Sequence, residues 1–133
     1  QLYNLLFDAD NSIYVGGRFS SFNNETFMGL TIPSPIIPGF LMKIDSAAIN
    51  TLWSTYHNKS ANGPGSIAMK GNEVGFSNSC FGTDFTWGTQ TLNASATNQG
   101  IEVLFARFNK NSGALIIIKI KAITGTAIIK IAK

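Results

Sequence analysis

Phe7 to Gly17, FDADNSIYVGG, sets two aspartates one residue apart, follows them with Asn11 and Ser12, and then enters an apolar run. Two readings compete for it: a calcium loop, or a turn between two strands. An EF-hand-type loop wants oxygen ligands at its positions 1, 3 and 5, Gly at 6 and a bidentate Glu at 12. With Asp8 first, Asp10 and Ser12 fit, but Ile13 takes the glycine position and Phe19 the glutamate position. A turn is therefore expected, with Asp8 and Asp10 not holding a metal.

The segments Ser12 to Phe22, Gly39 to Asp45, Asn50 to Tyr56, Glu73 to Phe81, Ile101 to Asn109 and Ala114 to Ala122 are short, β-branched and aromatic. Turn clusters such as FNNE, NGPG and NKNSG separate them, and no window carries helical periodicity free of Gly, Pro or β-branched interruptions. The expected fold class is all-β.

The opening stretch also has a partner. Displacing the chain by 62 residues lays Leu5 on Ile67, Phe7 on Met69, Tyr14 on Phe76 and Phe19 on Phe81. The same shift lays Asp8 on Lys70 and Asp10 on Asn72, so a cation replaces one carboxylate while the apolar spacing persists. Further on, FMGLTI (Phe27 to Ile32) matches TWGTQTL (Thr86 to Leu92) about Gly29 and Gly88, and at an offset of 64 FLMKID (Phe40 to Asp45) falls on LFARFN (Leu104 to Asn109). Duplication at such a period is the mark of modular architecture, in which each unit buries its faces against neighbours. The expected units are 1–61 and 62–121, with 122–133 as a C-terminal strand or hairpin that could open a further unit or serve assembly.

The pooled copies read D-x-x-N-x-I-Y-V-x-G-x-F, then F-x-G-x-x-x-L, then K/R-x-D/N and L-W. Asp8, Asn11, Ile13 to Val15, Gly17, Phe19, Lys43, Asp45, Leu52 and Trp53 carry it in the first copy; Asn72, Phe81, Gly88, Leu92, Arg107, Asn109, Gly113 and Leu115 carry it in the second. This pattern, over nearly all of residues 4 to 121, resembles the SBBP-type β-propeller repeats of bacterial secreted and cell-surface proteins. The resemblance implies two tandem four-stranded antiparallel blade-like units, with no catalytic residues attached. A closed propeller takes about four to eight blades. Two units therefore imply a longer parent chain, assembly of several copies into a homo-oligomer, or packing as a β-sandwich instead.

Composition supports an extracellular, secreted or cell-surface setting. Of 133 residues, 44% are hydrophobic, enough for a core, yet only 13% are charged, about half the usual share. Gln1 in place of an initiator Met suits a mature or trimmed product, and Asn24, Asn58 and Asn93 open glycosylation triplets. No segment approaches a membrane span of ~18 apolar residues. The net charge is +3, and from Arg107 onward there are six basic residues and no acidic one. Those lysines alternate with isoleucines rather than clustering with exposed aromatics, so no nucleic-acid partner is expected. The single cysteine, Cys80, rules out an internal disulfide and is expected to be a small buried hydrophobe.

No pair of carboxylates, metal cluster or nucleophile-base pair stands out, so no enzyme and no cofactor are expected. His57, the only histidine, lies in the polar stretch YHNKSANGPG and is expected on an exposed loop. For binding, the best candidate is Trp87 with Asp84 and Thr86 beside it, an aromatic contact for a carbohydrate or another surface polymer. For assembly, the strand pattern IIIKIKAITGTAIIKIAK puts Lys119 and Lys121 on one face and Ile118 and Ile120 on the other, with Ile129 and Ile131 flanking Lys130. That apolar face and its edge could complete a neighbour's sheet.

Overall fold

Asp8 N–H donates to Ser12 O at 2.9 Å, Asn11 N–H donates to Asp8 O at 2.9 Å, and Asn11 takes φ 60°. This is a type I turn followed by a left-handed residue, one of the standard short hairpin connections, and Asn tolerates that conformation better than most residues. The computed structural model describes residues 2–19, 24–33, 36–59, 61, 65–81, 84–87, 90–93, 101–122 and 127–131.

Among the described residues there are thirteen strands and no helix. They are β1 (Leu2–Phe7), β2 (Ile13–Arg18), β3 (Glu25–Phe27), β4 (Leu30–Ile32), β5 (Gly39–Ile44), β6 (Thr51–Tyr56), β7 (Ser66–Lys70), β8 (Glu73–Phe81), β9 (Asp84–Trp87), β10 (Gln90–Asn93), β11 (Ile101–Asn109), β12 (Leu115–Ala122) and β13 (Ala127–Ile131). One antiparallel sheet has the order β1-β2-β5-β6 and the other β7-β8-β11-β12 with β13 added at its edge. In each, a two-stranded hairpin interrupts the meander after its second strand: β3-β4 in the first and β9-β10 in the second. The connectivity of the two sheets is therefore the same.

The likeness extends to register. In the first sheet Ile44 pairs with Thr51 but Lys43 with Trp53, a bulge of one residue; in the second Phe108 pairs with Leu115 but Arg107 with Ile117. These positions correspond at an offset of 64 throughout. So do the turns that follow: Asp45 N–H donates to Asn50 O at 2.9 Å, and Asn109 N–H donates to Ala114 O at 2.8 Å. The Asp45 carboxylate accepts from Ile49 N–H at 2.9 Å, and the Asn109 amide oxygen from Asn111 N–H at 2.9 Å, which explains why an Asp or Asn ends each strand. Gly113, in the second turn, has φ 70°, and a Cβ there would lie 2.7 Å from the Trp53 ring.

Two details differ from the sequence alignment. Lys70 and Glu73 pair directly, closing the β7-β8 hairpin with a two-residue turn one residue tighter than its counterpart. The offset thus falls from 62 to 61 across it, and the residue equivalent to Phe76 is Val15: Val15 pairs with Leu5 and Met42, Phe76 with Ile67 and Ala106. In the inserted hairpins the offset is 60. Thr26 Oγ1 lies 2.9 Å from Thr31 Oγ1, and Thr86 Oγ1 lies 3.2 Å from Thr91 Oγ1, so Trp87 answers to Phe27 rather than Met28, and Gly88 lies outside the described residues.

Alternation along each strand gives every sheet two faces. The first sheet turns Leu6, Tyr14, Leu41 and Trp53 toward the second, where they share a core with Ile67, Val74, Phe76, Leu104, Ala106 and Phe108. Its opposite face carries Val15, Phe40, Met42 and Ile44, over which the β3-β4 hairpin lays Leu30 and Ile32. Gly16 lets the sheets meet: a Cβ at that position would lie 2.7 Å from Ile67 Cγ2. Cys80 belongs to the shared core and is buried.

Candidate functional site

The contact between the two sheets is where polar chemistry concentrates. Asp8 Oδ1 receives the Lys110 ammonium at 2.9 Å, and Asp8 Oδ2 receives the Tyr14 hydroxyl at 3.3 Å. Lys110 O accepts from Tyr14 Oη at 3.0 Å and from Trp53 Nε1 at 3.0 Å. One carboxylate and one turn carbonyl thus lock the first sheet to the β11-β12 turn of the second. The Lys110 hydrogen bond, then that from Ala9 N–H, holds the Asp8 carboxyl below the usual carboxylate range. Burial, helped by the Asp8 charge, raises the Tyr14 hydroxyl and keeps it a neutral donor.

Asp10 has a separate role. Its carboxylate accepts the Ser12 N–H at 2.9 Å, which lowers its pKa, and it stands 3.8 Å from the ammonium of buried Lys43. Lys43 lies over the Tyr14 ring, 5.3 Å from its centroid. Each aspartate of the opening stretch is therefore engaged by a turn amide and by a lysine. Among the described residues no group of three or more His, Cys, Asp and Glu is placed to hold a metal.

Trp87 is not an exposed contact residue. It is 1% exposed, packed edge-on or tilted among Phe76, Phe85, Phe108 and His57, and its indole N–H donates to Thr55 Oγ1 of the first sheet. Its burial follows from topology: the β9-β10 hairpin folds back over the seam, as β3-β4 folds over the first sheet. Thr86 is half-buried, and its N–H donates to Asn58 Oδ1 at 2.7 Å. The Asp84 side chain lies outside the described residues. The candidate aromatic contact for a sugar is thus a packing element that joins the sheets.

His57 is likewise buried, at 0% exposure, not on an exposed loop. Its Nε2 accepts from Gly39 N–H at 3.0 Å, its Nδ1 faces Lys59 N–H at 3.3 Å, and Asn78 Nδ2 lies 3.3 Å from Nε2. With Nε2 accepting from Gly39, an imidazolium would set its Nε2–H against that N–H. Burial pushes the His57 pKa down to about 3. Asn78 Oδ1 is buried with no hydrogen-bond partner among the described residues.

The proposed assembly strand divides. Ile118 is 1% exposed and belongs to the shared core, so it offers no surface to a partner. The edge of β12 is taken within the chain by β13, with Ile120 opposite Ile128 and Lys119 opposite Ile129. The side chains of Ile120, Ile129 and Ile131 lie outside the described residues.

Apart from Ile49 and Leu52 at the β5-β6 turn and the start of β6, the exposed large apolar residues among those described lie on the two outer faces. On the first sheet Leu5 is 55% and Phe7 65% exposed; on the second Val103 is 43% and Phe105 39% exposed. Phe105 borders a depression of about 310 Å³ floored by Ser66, Ala68, Gly75 and Ser77 and rimmed by the Arg107–Glu73 ion pair at 3.0 Å. Sequence reasoning missed this face because small residues on strands carry no apolar signal. No protein-family model, no curated protein and no solved structure matches the chain.

Proposed function

We propose that this chain is a non-enzymatic, extracellular structural or adhesive β-repeat protein of the propeller type, acting through assembly with further units like its own. One observation carries the reading. The two sheets share connectivity, bulge position and the register of the turn after β5 and β11, and they pack face to face, while each keeps one outer face with exposed Leu5 and Phe7 or Val103 and Phe105. A unit built to be sandwiched between neighbours leaves such faces at both ends of a pair. The polar but weakly charged composition, with 13% charged residues, and exposed Asn24 agree with an extracellular setting.

Size-exclusion chromatography with light scattering tests the reading, together with the intact mass of native material. Association beyond 14.3 kDa, or a native chain carrying further units, is expected. A native product of 14.3 kDa that stays monomeric would refute it.

A further inference from the structure

The contact inside the chain specifies what its outer faces lack. On the second sheet, Ile67 and Met69 of β7 press against the first, Ile67 over Gly16. Their counterparts on β1 are Leu5 and Phe7, since Leu5 pairs with Val15 and Phe7 with Ile13 as Ile67 pairs with Phe76 and Met69 with Val74. Leu5 and Phe7 have nothing comparable to press against, at 55% and 65% exposure.

The receiving surface is duplicated as well. On the first sheet it is built on the cross-strand pairs Tyr14 with Lys43 and Gly16 with Leu41; on the second the equivalent pairs are Gly75 with Arg107 and Ser77 with Phe105. A basic residue and a large apolar residue recur at the same places. Where the first sheet has Tyr14, the second has Gly75, and where it has Leu6, the second has Ala68, so the second receiving face is deeper at those two places, while Ser77 and Phe105 make it shallower where the first has Gly16 and Leu41. The side chains that would enter compensate: Phe7 replaces Met69. A bulkier insert meets a deeper trough.

We infer that the outer face of the second sheet binds β1 of a second copy of this chain, seating its Leu5 and Phe7 in the trough floored by Ser66, Ala68, Gly75 and Ser77. The inference rests on the reading of assembly through unit faces and adds the partner, the surfaces and the symmetry. Because two different faces meet, the contact is heterologous, and repeated addition gives a ring where the rotation closes and a filament where it does not. Phe7 contributes the largest apolar burial on entering, and the Arg107 guanidinium at the trough's rim stands where Lys43 stands over an aromatic ring within the chain.

Two variants and their mixture test this in the 133-residue chain. Phe7→Asp spoils the inserting face and Ala68→Glu the receiving face; both positions are exposed, so each variant should keep the wild-type near-UV circular dichroism. By light scattering, wild type should exceed 14.3 kDa increasingly with concentration, and each variant alone should remain at 14.3 kDa. Mixed, the variants should give a heterodimer of twice that mass, since each retains the face the other has lost. Wild-type association that survives either substitution would overturn the inference and leave assembly by another surface. A wild type that stays at 14.3 kDa also overturns it; a heavier native chain would then keep the general reading, with the further unit supplied in cis.

Discussion

Lys110 reaches across 102 residues of chain to sit 2.9 Å from Asp8. The pair is partly shielded, with side-chain exposures of 23% and 11%, and it is the only one of the three described ion pairs that joins the two sheets. Ion pairs open to solvent contribute little, in the range of about 0 to 1 kcal/mol. A double-mutant cycle with Asp8→Asn and Lys110→Met, read by urea denaturation, should give a coupling of about 1 kcal/mol. The Asp8 pKa is lowered on folding, so its contribution is present above the ordinary Asp range and fades as pH falls through the lowered value. A coupling unchanged well below that range would mean that charge is not what joins the sheets.

Gly16 should tolerate no side chain while Ile67 is in place. A Cβ would lie 2.7 Å from Ile67 Cγ2, inside any real contact, so Gly16→Ala should cost about 1–3 kcal/mol by overpacking. Combining it with Ile67→Leu, which removes the β-branch at the clash, should recover part of the loss. If the double variant is no better than the sum of the single ones, the sheets do not meet at this point.

His57 makes the fold sensitive to acid. Its pKa is about 3 in the folded chain and about 6.5 when exposed, so between those values the unfolded state binds the extra proton. Stability is therefore full above about pH 6.5 and declines as pH falls, at a limiting slope of about 1.4 kcal/mol per pH unit from this group. Urea midpoints measured from pH 7 down to pH 5 should fall in wild type and fall less in His57→Gln. Equal slopes would place the histidine in solvent.

Trp87 should matter for stability and not for recognition of a glycan. Truncating a fully buried aromatic residue costs about 3–5 kcal/mol, so Trp87→Ala should unfold at markedly lower denaturant or fail to fold. Trp87→Phe, which keeps most of the packing but loses the hydrogen bond to Thr55, should cost less. A stable Trp87→Ala chain would contradict the buried placement.

Much of this architecture was legible in the chain, and the failures have physical causes. Strands were readable as short β-branched and aromatic runs bounded by turn residues, as in Ile101 to Asn109. The offset of 64 from Phe40 onward was also readable, because a turn-capping Asp or Asn follows each strand and pins the register. The equivalence of Tyr14 with Phe76 was misread: the β7-β8 turn is one residue tighter, and a one-residue slip moves a side chain to the other face. Trp87 and His57 were misplaced for a related reason. Their local surroundings are polar, as Thr86 and Asn58 suggest, and only the folding back of the β9-β10 hairpin covers them. The Asp8 to Lys110 contact left no local signal, and the receiving trough is written in Ser, Ala and Gly.

Two outer faces that are unmet copies of the contact inside the chain should join one copy to the next. Sedimentation velocity of the 133-residue chain over a wide range of concentration reads this out. Growth from 14.3 kDa into multiples of that mass, abolished by Phe7→Asp, is expected. A single 14.3 kDa species at every concentration, or multiples indifferent to Phe7→Asp, would contradict it.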